Sequence, residues 1–374
     1  MRWKKDLWPE WEIENSIGSG AYGVVYRIKR QDIGGIYYSA LKVISIPQSN
    51  SEIERLRNAN MSDNQIKKYF SDIVGEISKE VAFMEKFKGF TNIVSYEDHK
   101  IVSHADGLHW DVLIRMELLT PLTRHLETHT MDENGVCRLG RDICNALTLC
   151  EKEKIIHRDI KPGNIFISDY GDFKLGDFSL AKYVDIRSGG SSAHGTYSYM
   201  APEVYKEIGY DSTIDIYSLG LILYRLMNRG RGPFQPLPPT PLSLEVSEAA
   251  NQMRLKTETL PRPVDASAMM VGIIQKACAY APEKRYRNSL ELKEALERCM
   301  SLQPALNVAG HVSKLVKKAV DVFSGNEVAD GRINEHDHMT NHAEEEKNNG
   351  SSAGQSGNGK KKTMKDFFTT AGDL

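Results

Sequence analysis

The sequence of 374 residues is short of cysteine, of excess charge and of long apolar runs. Its formal net charge of -2 favours neither a nucleic-acid binder nor a protein of anionic surfaces, so no nucleic-acid partner is expected. The 5 cysteines form no C-x-x-C pair, which argues against a disulfide framework or a zinc site and indicates reduced thiols in a cytoplasmic protein. The N-terminus lacks the apolar run of a signal peptide. No apolar stretch of about 18 or more residues occurs, so no membrane span is expected.

The order of strand-like and helix-like segments indicates two differently built parts. Polar and apolar residues alternate over 12–46 between glycines, which predicts successive strands. Over 52–88 apolar residues recur at helical spacing, and two more strand-like runs lie within 92–119. Residues 121–299 have mainly helical patterns, apart from a section rich in strands and loops at 155–202.

The C-terminal part has a different composition. Residues 301–323 contain HVSKLVKKAVDVF, which predicts an amphipathic helix. Residues 324–374 are polar, with few apolar side chains, and are predicted to be disordered. A pattern near the end, K-x-x-M-x-x-F-F, is able to fold on a partner surface, although a disordered end that binds nothing fits the same residues.

A glycine-rich turn lies between the first two predicted strands. Its glycines, Gly18, Gly20 and Gly23, allow the backbone to approach a ligand so that amides point at phosphate oxygens. Residues typical of strands follow, so the turn joins two strands and does not open a dinucleotide-binding helix. Taken alone, the turn also fits an ordinary glycine hairpin.

One lysine, Lys42, lies within an apolar strand-like run that begins at Ala40. Because burial of a lysine without a partner is costly, we expect its amine to meet a phosphate and a carboxylate. A strand lysine that extends its amine to solvent is the alternative.

Two short segments, 156–166 and 174–178, carry the polar groups of a phosphoryl transfer. Mg²⁺ prefers hard oxygen ligands, and the Asp177 carboxylate and the Asn164 amide oxygen are of that kind. Asp159 would orient the attacking hydroxyl and accept its proton, and Lys161 would face the γ-phosphate. Catalysis would then depend mostly on positioning and charge stabilisation.

Together and in this order, these motifs resemble the eukaryotic-type (Hanks-type) serine/threonine protein kinase family. The resemblance runs from about Glu12 to Cys299 and includes the glycine turn, the A-x-K lysine, H-R-D-x-K-P-x-N, the D-F-G position and A-P-E at 201–203. It implies an α+β, bilobal protein kinase fold. A small β-rich N-lobe with a regulatory helix would occupy 12–119, and a larger, mainly α-helical C-lobe would occupy 120–300.

The resemblance also implies an activity, the transfer of the ATP γ-phosphate to serine or threonine hydroxyls of protein substrates, with Mg²⁺ or Mn²⁺. Asn164 and Asp177 would hold the metal. The implied catalytic residues are Lys42, Glu80, Asp159, Lys161, Asn164, Asp177 and Thr196. The implied ATP-binding residues are Gly18, Gly20, Gly23, Val25, Ala40, Lys42, the gatekeeper Met116, the hinge residues Glu117 and Leu119, and Phe166. The spacing to N-I-V favours Glu80 over Glu76 as the partner of Lys42.

Specificity and regulation follow from the same resemblance. Lys161 in the catalytic loop and Thr196 beside the acceptor site are features of the serine/threonine members. Arg158 and Lys182 would form a cationic pocket for a phosphate on Ser192, which predicts autophosphorylation of that loop. A solvated serine-rich loop is the alternative interpretation.

Other positions are expected to be structural or depart from the family pattern. Asp215 would anchor the catalytic loop, and Glu203 would pair with Arg285. Ser179 replaces the glycine of D-F-G, and Tyr217 stands where the family usually has tryptophan.

An insert at about 48–72 is predicted to be a short helix followed by an extension of the next helix, capped by Ser62 or Asp63. A docking or dimer surface and inert padding fit it equally. The insert and Ser179 are compatible with a soluble bacterial member of the family.

Two other functions share some of these features. A pseudokinase would have the shape without the transfer, but the residues for transfer are present. A small-molecule kinase of the aminoglycoside or choline type shares the aspartates and the asparagine, but lacks the A-P-E segment and a peptide platform at Thr196.

Overall fold

The computed structural model describes residues 4, 6–20, 23–178 and 197–302, without the side chains of Glu80 and Phe83. The chain divides into two units, and the second, Leu302–Lys362, lies outside these ranges apart from its first residue. The helix predicted at 301–323 and the tail predicted at 324–374 therefore lie outside the described residues, except for the first two positions.

A five-stranded antiparallel sheet forms the N-terminal part. Its spatial order is β1-β2-β3-β5-β4. The strands are β1 (Glu12–Gly20), β2 (Gly23–Asp32), β3 (Gly35–Ile46), β4 (Tyr96–Ser103) and β5 (Trp110–Met116). Because side chains alternate along a strand, the apolar residues of β3 and β5 supply a core on each face of the sheet.

Two helices cover one face of this sheet: α1 (Asn50–Asn58) and α2 (Asp63–Lys86). The apolar stripe of α2, which includes Ile66, Phe70 and Ile77, packs with Ile44 and Val112 of the sheet. The start of α2 and the whole of α1 coincide with the predicted insert.

Ser62, and not Asp63, makes the capping contacts of α2. The Gln65 backbone N–H donates to Ser62 Oγ (3.4 Å), and the Ser62 backbone N–H donates to Gln65 Oε1 (2.8 Å). This reciprocal pair is a capping box, which satisfies donors that the first turn leaves open.

The opposite face of the sheet is covered by the N-terminal segment, which sequence analysis did not predict. Trp8 and Trp11 are buried there with Leu41, Val43 and Leu113 among others. The Trp8 indole N–H donates to an Asp98 carboxylate oxygen (2.7 Å). The segment therefore contributes a second core to the sheet.

Helices build the second lobe around one buried helix. Its helices are α3 (Leu122–Thr128), α4 (Glu133–Lys152), α5 (Pro202–Tyr205), α6 (Thr213–Leu226), α7 (Leu244–Arg254), α8 (Ala268–Ala277) and α9 (289–302). Every residue of α6 from Thr213 to Arg225 is buried, as expected for a helix that crosses the middle of a core. Within the described residues, no helix has the length and apolarity needed to cross a bilayer.

A small sheet joins this lobe to the cleft. It consists of β6 (Thr120–Pro121), β7 (Ile165–Ile167) and β8 (Phe173–Leu175), in that order. A 3₁₀ turn, Pro162–Asn164, precedes β7. The two lobes, one β-rich and one helical, give the α+β fold that was predicted.

Candidate active site

A cavity of about 900 Å³ lies between the two lobes. Every residue predicted to bind the nucleotide lines it: Gly18, Gly20, Gly23, Val25, Ala40, Lys42, Met116, Glu117, Leu119 and Phe166. Asp177 lines it as well, together with Val94, Arg124, Gly163 and Asp169, which sequence analysis did not single out. The cavity is large enough for a nucleotide triphosphate, since ligand pockets commonly span about 300–1,000 Å³.

The roof of the cavity is the glycine turn. Gly23 has a φ of +125°, and a Cβ there would lie 2.1 Å from the Val43 carbonyl oxygen, so only glycine fits. A Cβ at Gly18 would meet nothing within 4 Å. Residues 21 and 22, at the tip, lie outside the described part of the chain.

Lys42 forms an ion pair across the cavity. In β3 it lies opposite Val25 of β2 and Ile114 of β5, and its residue is only 5% exposed. Its Nζ lies 2.6 Å from Asp177 Oδ1. Burial raises the pKa of the Asp177 carboxyl, but the charge and hydrogen bond of Lys42 outweigh it and hold the pKa below its usual value.

The β7–β8 hairpin places Asn164 beside Asp177. Ile165 pairs with Leu175, and the Gly176 N–H donates to the Asn164 carbonyl (2.9 Å). Asp177 then adopts a φ of 55°, an unfavourable value for a non-glycine residue that is typical of functional turns. The hairpin thus brings the backbones of two distant motifs together next to Asn164 and Asp177.

Asp159 is held by the residues that follow it in the catalytic loop. Lys161 Nζ lies 2.9 Å from Asp159 Oδ2. The Asn164 amide Nδ2 donates to the same oxygen and to the Asp159 carbonyl, both at 2.8 Å. Within the described residues no donor contacts Asp159 Oδ1, so this oxygen is free to accept from a substrate.

The catalytic loop is anchored by Asp215, as predicted. The backbone N–H groups of His157 and Arg158 donate to its two carboxylate oxygens at 2.7 and 2.8 Å. Arg158 has a φ of 68°, and the Asp215 contacts stabilise this strained turn. The predicted pair of Glu203 and Arg285 is also confirmed, with Arg285 Nη2 2.7 Å from Glu203 Oε2.

The hinge segment is fixed through the side chain of Glu117. Its carboxylate accepts from Lys174 Nζ (2.8 Å) and from the Ser95 N–H (2.5 Å). Its own N–H donates to the Ser95 carbonyl (3.0 Å). The backbone of 117–119 is therefore held at the edge of the cavity.

A smaller cavity of about 60 Å³ lies beside Asp159. It is lined by Arg158, Asp159, Lys161, Tyr199 and Tyr210, among others. Asp159 and Lys161, both predicted to be catalytic, therefore lie in the wall of this recess.

Arg254 and Tyr217 fasten the wall of that recess, and sequence analysis missed this role. Arg254 is 1% exposed. It donates to the carbonyls of Tyr197 (2.7 Å) and Met200 (2.8 Å) and to Tyr217 Oη (2.9 Å). Tryptophan has no oxygen that accepts such a bond, so Tyr217 at this position does more than change the packing.

Several predicted residues lie outside the described part of the chain. They are Ser179, Lys182, Ser192 and Thr196, together with the side chain of Glu80. The alternative glutamate, Glu76, forms an ion pair with Lys79 (2.8 Å). The partner that α2 supplies to Lys42 therefore stays a prediction.

The oxygen atoms at the cleft fit a divalent metal. The Asn164 side chain donates through Nδ2 to Asp159, so its amide oxygen points away from that aspartate. Asp177 binds Lys42 through Oδ1 only. Within the described ranges no cluster of three or more His, Cys, Asp or Glu residues is able to hold a metal alone. Two protein ligands, with phosphates completing the shell, are the usual arrangement for Mg²⁺ at nucleotides.

A two-lobed fold with these groups around one cleft defines a nucleotide-dependent phosphotransferase. The family described as "Protein kinase domain" matches residues 11–298. The chain therefore belongs to the protein kinase family, whose members use ATP and a divalent metal, and the resemblance seen in the motifs is confirmed.

Three curated proteins show the range of similarity. The chain is 25% identical over 328 residues to the serine/threonine/tyrosine-protein kinase HT1 of Arabidopsis thaliana, which covers 86% of this chain and 75% of that protein. It is 29% identical over 220 residues to the serine/threonine-protein kinase KIC1 of Saccharomyces cerevisiae, covering 58% and 18%. It is 26% identical over 311 residues to the serine/threonine-protein kinase Nek10 of Homo sapiens, covering 76% and 24%.

The chain thus spans most of the first of these proteins and only a minor part of the other two. The similarity lies in the kinase domain, which is that of an ATP-dependent protein serine/threonine kinase.

Proposed function

We propose that this protein transfers the γ-phosphate of ATP to serine or threonine hydroxyls of protein substrates. The observation that carries the proposal is the Lys42–Asp177 ion pair in the wall of the large cavity, together with an Asp159 whose Oδ2 is held by Lys161 and Asn164. A binding module without transfer would not need the catalytic aspartate held by both Lys161 and Asn164.

The nucleotide would enter with its base towards the hinge. Val25, Ala40 and Phe166 line the cavity, and we propose that the first two cover adenine while Phe166 lies beneath it. The backbone at Glu117 and Leu119 would bind the base edge. The glycine turn would present its amides to the phosphates, and Lys42 would offset their charge.

Asp159 would act on the substrate hydroxyl. Its Oδ2 is held by Lys161 and Asn164, so Oδ1 would accept the hydroxyl hydrogen bond and take the proton as the oxygen attacks phosphorus. Lys161 would stabilise charge on the transferred group. Thr196 would bond both residues and hold the platform for a short side chain.

Asn164 and Asp177 would hold the metal, which we propose to be Mg²⁺, with Mn²⁺ as the substitute. When bound, such an ion offsets charge on the phosphates. Asp177 is suited to this role because Lys42 keeps its pKa low and its carboxylate ionised. We propose Glu80 as the residue that would pair with Lys42 when Asp177 holds the metal.

For regulation we propose autophosphorylation at Ser192, with Arg158 and Lys182 receiving the phosphate. Arg158 supports this proposal, since its buried Nε bonds to no described residue and its guanidinium lies over the Tyr210 ring. A phosphate would give this cation an anionic partner.

We also propose the predicted organisation for the whole chain, with the N-lobe at 12–119, the C-lobe at 120–300, and a partner for either the insert at 48–72 or the tail.

The cysteines are all free and buried, which supports a reducing compartment, the cytoplasm.

The test is a radiolabelled ATP assay on casein and myelin basic protein with wild type, Asp159→Asn and Asp72→Asn. Asp72 is an exposed aspartate on α2, so its variant controls for the substitution itself. We expect transfer by wild type and Asp72→Asn and a loss of at least about 100-fold in Asp159→Asn. Equal transfer by all three would remove Asp159 from the mechanism. Phosphorylation of amino-alcohols but of neither protein would indicate a small-molecule kinase, and ATP binding without transfer to either would indicate a pseudokinase.

A further inference from the structure

One buried arginine near the small cavity has no anionic partner among the residues that the structure describes. Arg225 lies in the last turn of α6 and is 8% exposed. Among the described residues, none accepts a hydrogen bond from its guanidinium or forms an ion pair with it, and its one direct contact of charge is with a tyrosine ring. Burial of a charge in this way is costly, and a cation–π contact returns less than the burial costs.

A second buried cation lies beside the first. Arg231 is 6% exposed, and its Nη2 donates to the Thr240 carbonyl (2.8 Å). Burial, and then the positive charge of Arg225, lower the pKa of the Arg231 guanidinium. The two side chains therefore add their fields at one place, and that place attracts anions.

The fold leaves room for the Arg225 guanidinium. Gly232 lies against it, and a Cβ there would be 3.3 Å from Arg225 Nη2. An amide oxygen that also lies beside Gly232, Gln235 Oε1, accepts from the Gly232 N–H (2.7 Å). No described residue accepts from the N–H donors of Arg225, which leaves them for a group from outside the described part of the chain.

This cationic site lies one side chain away from the catalytic aspartate. The Arg225 guanidinium lies 5.0 Å from the centroid of the Tyr199 ring. Tyr199 lines the small cavity together with Asp159 and Lys161. Its backbone is fixed there by Ser218, whose Oγ donates to the Tyr199 carbonyl (2.8 Å). A peptide that presents its hydroxyl to Asp159 would pass close to Arg225.

We propose that Arg225, with Arg231 beside it, binds an anionic side chain of the protein substrate a few residues from the acceptor serine or threonine. The inference rests on the proposed function, because it assigns a substrate class to that active site. Arginine suits the task, since its planar fork matches both carboxylate and phosphate oxygens. Substrates rich in Asp or Glu, or already phosphorylated nearby, are therefore favoured over basic ones.

The experiment measures binding and transfer on the same peptides with the full chain. Fluorescein-labelled peptides carry one central serine flanked by Glu, by Gln or by phosphoserine, and their affinities are measured by fluorescence anisotropy. The proteins are wild type, Arg225→Gln, Arg225→Lys and Arg229→Gln. Arg229 is an exposed arginine just beyond the helix, paired with Asp265 (3.2 Å), and it controls for the loss of one positive charge.

We expect wild type to bind the Glu and phosphoserine peptides about tenfold more tightly than the Gln peptide, as one charge-assisted pair provides. Arg225→Gln should lose this preference and Arg225→Lys should keep part of it, while Arg229→Gln should retain it. A preference for Glu alone or phosphoserine alone identifies which anion the site takes. Because Arg225→Gln removes an unpaired buried charge, its melting temperature should not fall.

Equal affinity of wild type for all three peptides would overturn the inference, as would a preference that survives in folded Arg225→Gln. Should Arg225→Gln not fold, Arg225→Lys and the comparison of the three peptides on wild type still test the inference.

The transfer assay separates the inference from the proposed function. Phosphate transfer without any preference for acidic peptides would support the proposed function and contradict the proposed class of anionic substrates. Selective binding without transfer would do the reverse.

Discussion

Lys42 Nζ lies 2.6 Å from Asp177 Oδ1, although 135 residues separate the two positions. The pair joins β3 of the first lobe to the turn after β8 of the second, across the cavity. The lysine is buried, whereas the carboxylate is half-buried and open to the cleft. This contact therefore links the stability of the cleft to the ionisation of Asp177, which we propose as a metal ligand.

The first prediction concerns Lys42→Met. Transfer should fall by about 100-fold or more, because a charged group at the phosphates is lost. The folded pKa of Asp177 is depressed in wild type, so the pair contributes stability above the unfolded pKa of about 3.9 and loses it as pH falls through the folded pKa. Without Lys42, burial remains and raises that pKa. The gap in melting temperature between wild type and Lys42→Met should hence be wide at pH 7 and shrink below about pH 4.

The control for this prediction is Lys79→Met. Lys79 is exposed and pairs with Glu76 on the same helix, so its loss should change the melting temperature little at any pH. A gap for Lys42→Met that does not depend on pH would show that Asp177 is not the group that titrates.

The second prediction compares two glycines of the turn. Gly23→Ala places a Cβ against the Val43 carbonyl at a φ of +125°, so we expect a loss of about 1–3 kcal/mol in the free energy of unfolding and weaker ATP binding. Gly18→Ala meets nothing within 4 Å and should change stability by less than about 1 kcal/mol. Urea unfolding and fluorescent ATP binding measure both. Equal losses for the two variants would contradict the close approach seen at Gly23.

The third prediction concerns the N-terminal segment. Trp8→Ala should cost about 3–5 kcal/mol, because it empties part of the core on the outer face of the sheet and leaves Asp98 without its indole donor. Ile33→Ala, in a turn where the side chain is fully exposed, should cost almost nothing. Melting curves decide. A Trp8→Ala variant as stable as wild type would show that the segment does not hold the sheet.

Much of the fold was predictable because strand and helix periods differ and the motifs are dense. The motifs identify Asn164 and Asp177 in the sequence. The register of the β7–β8 hairpin, in which Ile165 pairs with Leu175, then explains why the two residues are close in the fold. Trp8 was not predictable, since nothing local shows that a terminal segment folds back on a sheet.

The arginines were missed for a related reason. The helical pattern of the sequence predicts that Arg225 and Arg254 lie at the surface, because charged residues are seldom fully buried. In the structure both are buried. Their burial is decided by groups far along the chain, such as the carbonyls at 197 and 200 that accept from Arg254. A single sequence does not encode such partners as a local pattern.

The last prediction tests whether Arg254 and Tyr217 act together. Tyr217→Phe removes one acceptor and should cost about 1 kcal/mol, and Arg254→Met should cost more because the Tyr197 and Met200 carbonyls also lose their donor. Since the pair is in contact, the double variant should lose less than the sum, by about 1 kcal/mol. Tyr224→Phe, a buried tyrosine of the same helix whose hydroxyl bonds to no described residue, should be nearly neutral.

A kinetic readout separates positioning from plain stability in these variants. Arg254 bonds to the carbonyl of Met200, which lines the small cavity together with Tyr199, so Arg254→Met should raise KM for a protein substrate severalfold while KM for ATP stays constant. Residues that only stabilise the lobe would lower the amount of active enzyme without this split. If both KM values change alike, or if the double variant loses the full sum, then Arg254 and Tyr217 do not hold the recess as a pair.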